Sequence, residues 1–208
     1  MEKYLNFKNN IDESKLKIVG QSIAKGGLVI FPTETVYGIG TNGLDEKAIE
    51  KLYSAKCRDL NKPISLLVSN LDMVEQIATD ITEVEYKIMN TFFPGPFTII
   101  LKKKNIVPDI LTANKDTVGI RMPDHYITQK LIQYSGCPIA APSANISGKP
   151  SGTNIDNVIN DFYDKVDYII DNGESNIGIA STIVQVIDGV PHILREGSIT
   201  KEQILKVL

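Results

Sequence analysis

Apolar residues recur along this chain in two patterns: at helical spacing of three to four, and in short unbroken runs. Between residues 12 and 25, Leu16, Val19 and Ile23 make a helical stripe, with Asp12 placed to cap its start and Gly26-Gly27 to end it. Leu28 to Phe31 then run without a break, which predicts a short buried strand closed by Pro32. A glycine-bearing loop through Gly38, Gly40 and Gly43 is expected next, and Asp45 caps a helix with Ala48, Ile49, Leu52 and Tyr53 inward. Ile64 to Val68 reads as a strand, Asn70 or Asp72 opens a short helix, and Thr82 with Glu85 forms a capping box for another. Past Pro94-Gly95-Pro96, strands are predicted at Phe97–Leu101 and Thr117–Met122, with an aperiodic loop at 105–116 between them. His125 to Tyr134 reads as a helix and Pro138 to Ala141 as a buried strand. Asn154 caps a helix through Phe162, and strands follow at 168–170, 183–187 and 192–194. Thr200 with Gln203 starts a last helix whose Ile204, Leu205 and Leu208 should face the core. Interleaved helices and strands with uneven connections predict an α/β class: a single domain over 1–208 with a twisted mixed sheet flanked by helices.

Composition narrows the class little. The chain has 208 residues, 42% of them apolar and 23% charged, as expected of an ordinary globular protein. Its net charge of −3 gives no global pull toward nucleic acid or anionic membrane. The first residues lack the apolar stretch of a secretory signal, and no apolar run approaches the ~20 residues of a membrane helix, so a cytoplasmic protein without membrane contact is expected. Cys57 and Cys137 fit no metal spacing and read as reduced thiols.

Four stretches carry chemistry. In Thr33-Glu34-Thr35-Val36-Tyr37, polar groups follow a buried strand; they could rim a ligand site or only build a tight capped turn. Lys56 and Arg58 sit one residue apart just past a helix, where they could neutralise a polyphosphate or simply complement the helix dipole. Thr117 and Arg121, four apart on one strand, share a face, and the arginine could fork a carboxylate or close an edge salt bridge. Ala141 to Thr153 crowds Ser143, Asn145, Ser147, Ser151 and Thr153 beside two glycines, a composition suited to anions. Ser181 and Arg195 could close the site. Gly38 to Gly43 fits GxGxxG, yet six residues separate it from the preceding strand and residues 61 to 65 hold no acid, so no dinucleotide site is predicted. His125 and His192 are isolated, which disfavours a metal centre or a serine triad.

Taken in order, PTETVYGIG, Lys56-x-Arg58, FFPGPFT, TVGIRMP, PSANISG with Ser151, Ser181-Thr182 and Arg195-Glu-Gly resemble the YrdC-like family of threonylcarbamoyl-AMP synthases, over about residues 15 to 197. The resemblance implies a twisted sheet with a concave basic cavity, and the short form of the family, without its extra C-terminal domain. It implies a nucleotidyltransferase that converts L-threonine, bicarbonate and ATP to L-threonylcarbamoyladenylate, pyrophosphate and water. The product would pass to a threonylcarbamoyl transferase complex that modifies tRNAs reading ANN codons. By the same resemblance Lys56, Arg58, Lys62, Thr117, Ser143, Asn145, Ser151 and Arg195 surround ATP, with Lys56, Arg58, Ser143 and Asn145 in the catalytic group. Thr35, Arg121, Ala141 (through its backbone) and Ser181 surround threonine. Mg²⁺ would arrive with the nucleotide, held by phosphate and water and not by protein side chains. Two departures stand out: Lys62 replaces an asparagine and Leu67 a histidine of longer relatives. The alternatives are an RNA-binding module, suggested by Lys102-Lys103-Lys104 and allowing a weak RNA contact, and a carbamoyl-AMP-forming carbamoyltransferase domain.

Overall fold

The computed structural model describes residues 2–208. A strand at Tyr4–Asn6 (β1) precedes the first helix, Glu13–Ala24 (α1), whose N-cap Asp12 accepts from the N–H groups of Ser14 and Lys15. Val29–Phe31 (β2) is wholly buried and turns back into Gly38–Asn42 (β3). Asp45 caps Glu46–Ala55 (α2). Leu66–Leu67 (β4), Leu71–Ile77 (α3) and Glu83–Phe92 (α4) follow, the last opened by the Thr82–Glu85 capping box. Phe97–Lys102 (β5), a single turn at Asp109–Thr112 (α5), Thr117–Arg121 (β6), Tyr126–Ser135 (α6) and Ile139–Ala140 (β7) form the middle of the chain. Ile159–Phe162 (α7), Tyr168–Asp171 (β8), Thr182–Ile187 (β9), Val190–Arg195 (β10) and Lys201–Leu205 (α8) complete it.

The strands make one sheet in the order β1-β8-β2-β3-β7-β4-β6-β5-β9-β10. Parallel pairs (β1 with β8, β2 with β8, β4 with β6, β5 with β9) alternate with antiparallel ones, so the sheet is mixed, as the uneven connections predict. Chain order and spatial order disagree most in the centre. There β7, from late in the chain, lies between β3 and β4. This brings the loops after β2, β6 and β7 beside the approach to β9.

Several expectations need correction. The Gly38–Gly43 stretch is chiefly strand, not loop, because its neighbours leave no room for side chains. A Cβ on Gly40 would meet Ile139 Cγ2 at 2.7 Å, Phe31 Cε1 at 2.9 Å and the Ala140 carbonyl at 3.0 Å. Gly40→Ala should therefore lower stability by about 1–3 kcal/mol through overpacking, read as a reduced midpoint in denaturant. The predicted helix from Asn154 is broken: a 3-10 turn at Ile155–Asn157 precedes α7. Of the three C-terminal apolar residues, Ile204 alone is buried, while Leu205 and Leu208 are both 47% exposed, since a five-residue helix has one inward position to offer. The β1 strand escapes any periodicity because it spans three residues. It is tied down instead by Tyr4 and Lys8, both bonded to the buried Asp171 carboxylate.

Candidate active site

The turn after β2 serves both of the roles open to it. Thr33 Oγ1 accepts from the N–H groups of Thr35 and Val36 and donates to the Val36 carbonyl at 2.6 Å, which winds the backbone tightly. That turn presents Thr35 to an enclosed hollow of about 230 Å³. Tyr37, by contrast, is a structural group: its hydroxyl donates to the Gly173 carbonyl and accepts from the Asn172 N–H.

The chain contains three arginines against nineteen lysines, and all three arginines line this hollow. They reach it from distant elements: Arg58 from the turn after α2, Arg121 from the end of β6 and Arg195 from the end of β10. Arg58 gets there because Cys57 adopts φ +50°, reversing the chain after the helix. Its guanidinium donates to the Lys62 and Pro63 carbonyls at 3.1 and 2.9 Å. Arg195 donates to the Ser181 carbonyl at 3.0 and 2.7 Å and to Ser181 Oγ at 3.1 Å; Ser181 Oγ in turn lies 2.7 Å from Thr98 Oγ1. Burial lowers the pKa of both guanidinium groups, and the Arg121 charge adds to the effect on Arg195. Arg121 Nη2 sits 2.7 Å from Glu34 Oε1, yet its N–H vectors are not aligned on that oxygen, so the contact is one of charge and not a directed hydrogen bond. Among the described residues no carboxylate lines the hollow itself.

Ser143, Ser151, Ala141 and Ser181 also line the hollow. The Ala141 N–H is spent on the Ser65 carbonyl, so a backbone contact to a ligand there falls to its own carbonyl. Thr117 lines an adjoining chamber of about 220 Å³ that shares Pro63, Ile64, Ser65 and Ile183 with the first. Larger grooves, of about 400 and 680 Å³, run past Lys51 and Asp167, but they are open and none of the residues singled out above lines them.

Three further predicted residues line neither the hollow nor the adjoining chamber. Lys62 is exposed, and its carbonyl rather than its side chain is engaged, by Arg58 and Tyr53. Asn145 knits its own loop: Oδ1 accepts from Ser143 Oγ, and Nδ2 donates to the carbonyls of Ile146 and Lys149. Lys56 is 1% exposed and lies behind the loop, where its Nζ donates to the Ser143 and Asn145 carbonyls. Burial, seconded by the Arg58 charge, pushes its pKa down to about 7. The unfolded chain keeps that proton up to about pH 10.5, the folded chain only up to about 7. Between these values the unfolded state binds the extra proton. This group therefore makes folding stability rise with pH, by up to about 1.4 kcal/mol per unit. Denaturant titrations at pH 7 and 9.5 should show that gain in the wild type and a smaller one in Lys56→Met.

Two features went unread in the sequence. Thr98, the second residue of β5, lies inside a quoted motif, but only the structure shows its hydroxyl against Ser181. The scarcity of arginine was a usable signal. The triple-lysine run, which suggested RNA, is largely spent: Lys102 pairs with Asp80, Lys103 with Asp109, and Lys104 donates to the Glu75 carbonyl.

Three arginines turned into one hydroxyl-lined hollow are a donor set suited to anionic groups. Comparison with known proteins makes this specific. The Sua5_yciO_yrdC family model, described as telomere recombination, matches residues 21–197, and the chain belongs to that family. It is 44% identical to the threonylcarbamoyl-AMP synthase of Pyrococcus abyssi over 98% of this chain and 60% of the relative. It is 43% identical to the protein of the same name in Bacillus subtilis, over 87% of this chain and 53% of the relative. The chain thus spans little more than half the length of these relatives. The crystal structure of P. abyssi Sua5 complexed with L-threonine superposes with a TM-score of 0.95, covering 99% of this chain and 60% of that one.

Proposed function

We propose that this chain is a threonylcarbamoyl-AMP synthase, a nucleotidyltransferase acting on L-threonine, bicarbonate and ATP. The observation that carries the reading is the convergence of all three arginines on one enclosed hollow. Family membership, the names of the relatives and the threonine in the P. abyssi complex supply the chemistry.

Threonine's amine and bicarbonate first give a carbamate with loss of water. The carbamate oxygen then attacks the α-phosphorus of ATP, and pyrophosphate leaves. An anion must approach a polyanion, so the main task is charge neutralisation and alignment. Arg58, Arg195, Ser143 and Ser151 would hold the phosphates and Thr117 the nucleoside side, with Lys62 and Asn145 at the margin. Lys56 would act from behind by fixing the Ser143–Asn145 loop. Thr35, Arg121, the Ala141 carbonyl and Ser181 would hold threonine; Leu67 lines the same hollow. Among the described residues no three His, Cys, Asp or Glu side chains form a metal cluster. A Mg²⁺ arriving with the nucleotide would be carried by phosphate oxygens and water and would offset phosphate charge. The adenylate would be handed to a transferase complex acting on tRNA. Among the described residues no helix is long and apolar enough to cross a membrane.

The test is to incubate protein, ATP and Mg²⁺ with labelled bicarbonate, with and without threonine. A labelled adenylate that requires threonine is expected. ATP turnover driven by carbamoyl phosphate would point to carbamoyl-AMP formation instead. Salt-dependent tRNA binding without turnover would point to an RNA-binding module.

A further inference from the structure

We propose that Glu34 is a positioning residue that aims the Arg121 guanidinium into the hollow, and so sets the protein's hold on the amino-acid carboxylate. The inference rests on the functional reading above and goes beyond it, since Glu34 does not line the hollow. Glu34 and Arg121 are 6% and 8% exposed, and their charges meet at 2.7 Å. Burying such a pair brings little net stability, so its use is better sought in orientation. The backbone around Glu34 is fixed on both sides. Thr33 winds the preceding turn, and the Glu34 and Thr35 carbonyls accept from the N–H groups of Ile177 and Gly178. Neither Glu34 oxygen has a hydrogen-bond partner among the described residues, and neither has Arg121 Nε or Nη2. The His125 imidazole feels the Glu34 charge, but its buried Nδ1 is likewise unpartnered. A guanidinium pinned at one edge by charge, with buried N–H groups still unbonded, is poised for a second carboxylate. Arg121 lines both the main hollow and the small recess beneath it beside Thr35 and Ala141, so that second carboxylate would arrive from the hollow side.

The experiment compares wild type, Glu34→Ala, Glu34→Gln, Arg121→Ala and the Glu34→Ala/Arg121→Ala double variant. Glu34→Ala should raise KM for threonine about tenfold or more and leave KM for ATP within about twofold, the signature of one misaimed contact. Glu34→Gln, which keeps the length but removes the charge that pins the guanidinium, should recover little of the loss. In the Arg121→Ala background the same alanine should add nothing to KM for threonine. Equal changes in both KM values, or an undiminished effect in the double variant, would overturn the proposal. A substrate-free measurement separates it from the functional reading: the order parameter of the Arg121 side-chain Nε by NMR should fall in Glu34→Ala. Where Glu34→Ala does not fold, Glu34→Gln, which removes the same charge, carries the same comparisons with a shift of similar size. If the wild type ignores threonine, the functional reading fails while the Arg121 measurement still decides the role of Glu34. An unchanged order parameter in the variants would refute that role.

Discussion

Arg58→Ala is expected to cut pyrophosphate release that depends on both threonine and bicarbonate by roughly 10²–10³-fold, the usual cost of losing one preorganised charge-stabilising donor. Its folding should change little. Among the described residues Arg58 bonds to the Lys62 and Pro63 carbonyls alone, in a loop where water can replace it. Arg58→Lys should recover only a small part of the rate, because an ammonium cannot present the same fork to two phosphate oxygens. Steady-state kinetics beside a denaturant titration check both statements. Wild-type turnover in Arg58→Ala would remove this residue from the nucleotide site.

Lys56→Met should be damaging in a different way. Methionine replaces most of the buried stem but takes away the ammonium donor, leaving the Asn145 carbonyl without a donor among the described residues while the Ser143 carbonyl keeps the Asn145 N–H. One acceptor left without a donor costs roughly 1–3 kcal/mol at pH 7; relief of the buried ammonium offsets part of this. The loop that Lys56 anchors should loosen, so amide exchange over residues 143–147 should quicken and activity should fall with it. If activity vanished while exchange in that loop stayed at wild-type rates, Lys56 would be acting on substrate directly, in the role the motif resemblance gave it.

How much of this was legible beforehand differs by scale. Caps carried their own signature, so Asp12, Asp45, Asn70, Thr82 and Thr200 each start a helix where local chemistry put them. Long amphipathic stripes were equally plain. The glycine strand β3 was not, because a strand whose inward residues lack side chains shows no alternation to read. Nor could the sequence tell a cation in a cavity from a cation beneath its wall. Lys56 and Arg58 look alike in the chain, but one ends 1% exposed under a loop and the other faces the hollow. That distinction depends on the left-handed turn at Cys57, which nothing in a run of Lys-Cys-Arg announces. Glu34 was visible as a carboxylate but not as the partner of a residue more than eighty positions away.

The place of β9 and β10 in the sheet has a consequence for synthesis. Ser181 directly precedes β9 and Arg195 ends β10, and β9 must find β5, some eighty residues earlier, before either side chain reaches the hollow. Such distant pairings form slowly. A nascent chain halted before residue 182 would hold most of its core yet lack one wall of its pocket, so competence would come abruptly, with the closing hairpin, and not by degrees.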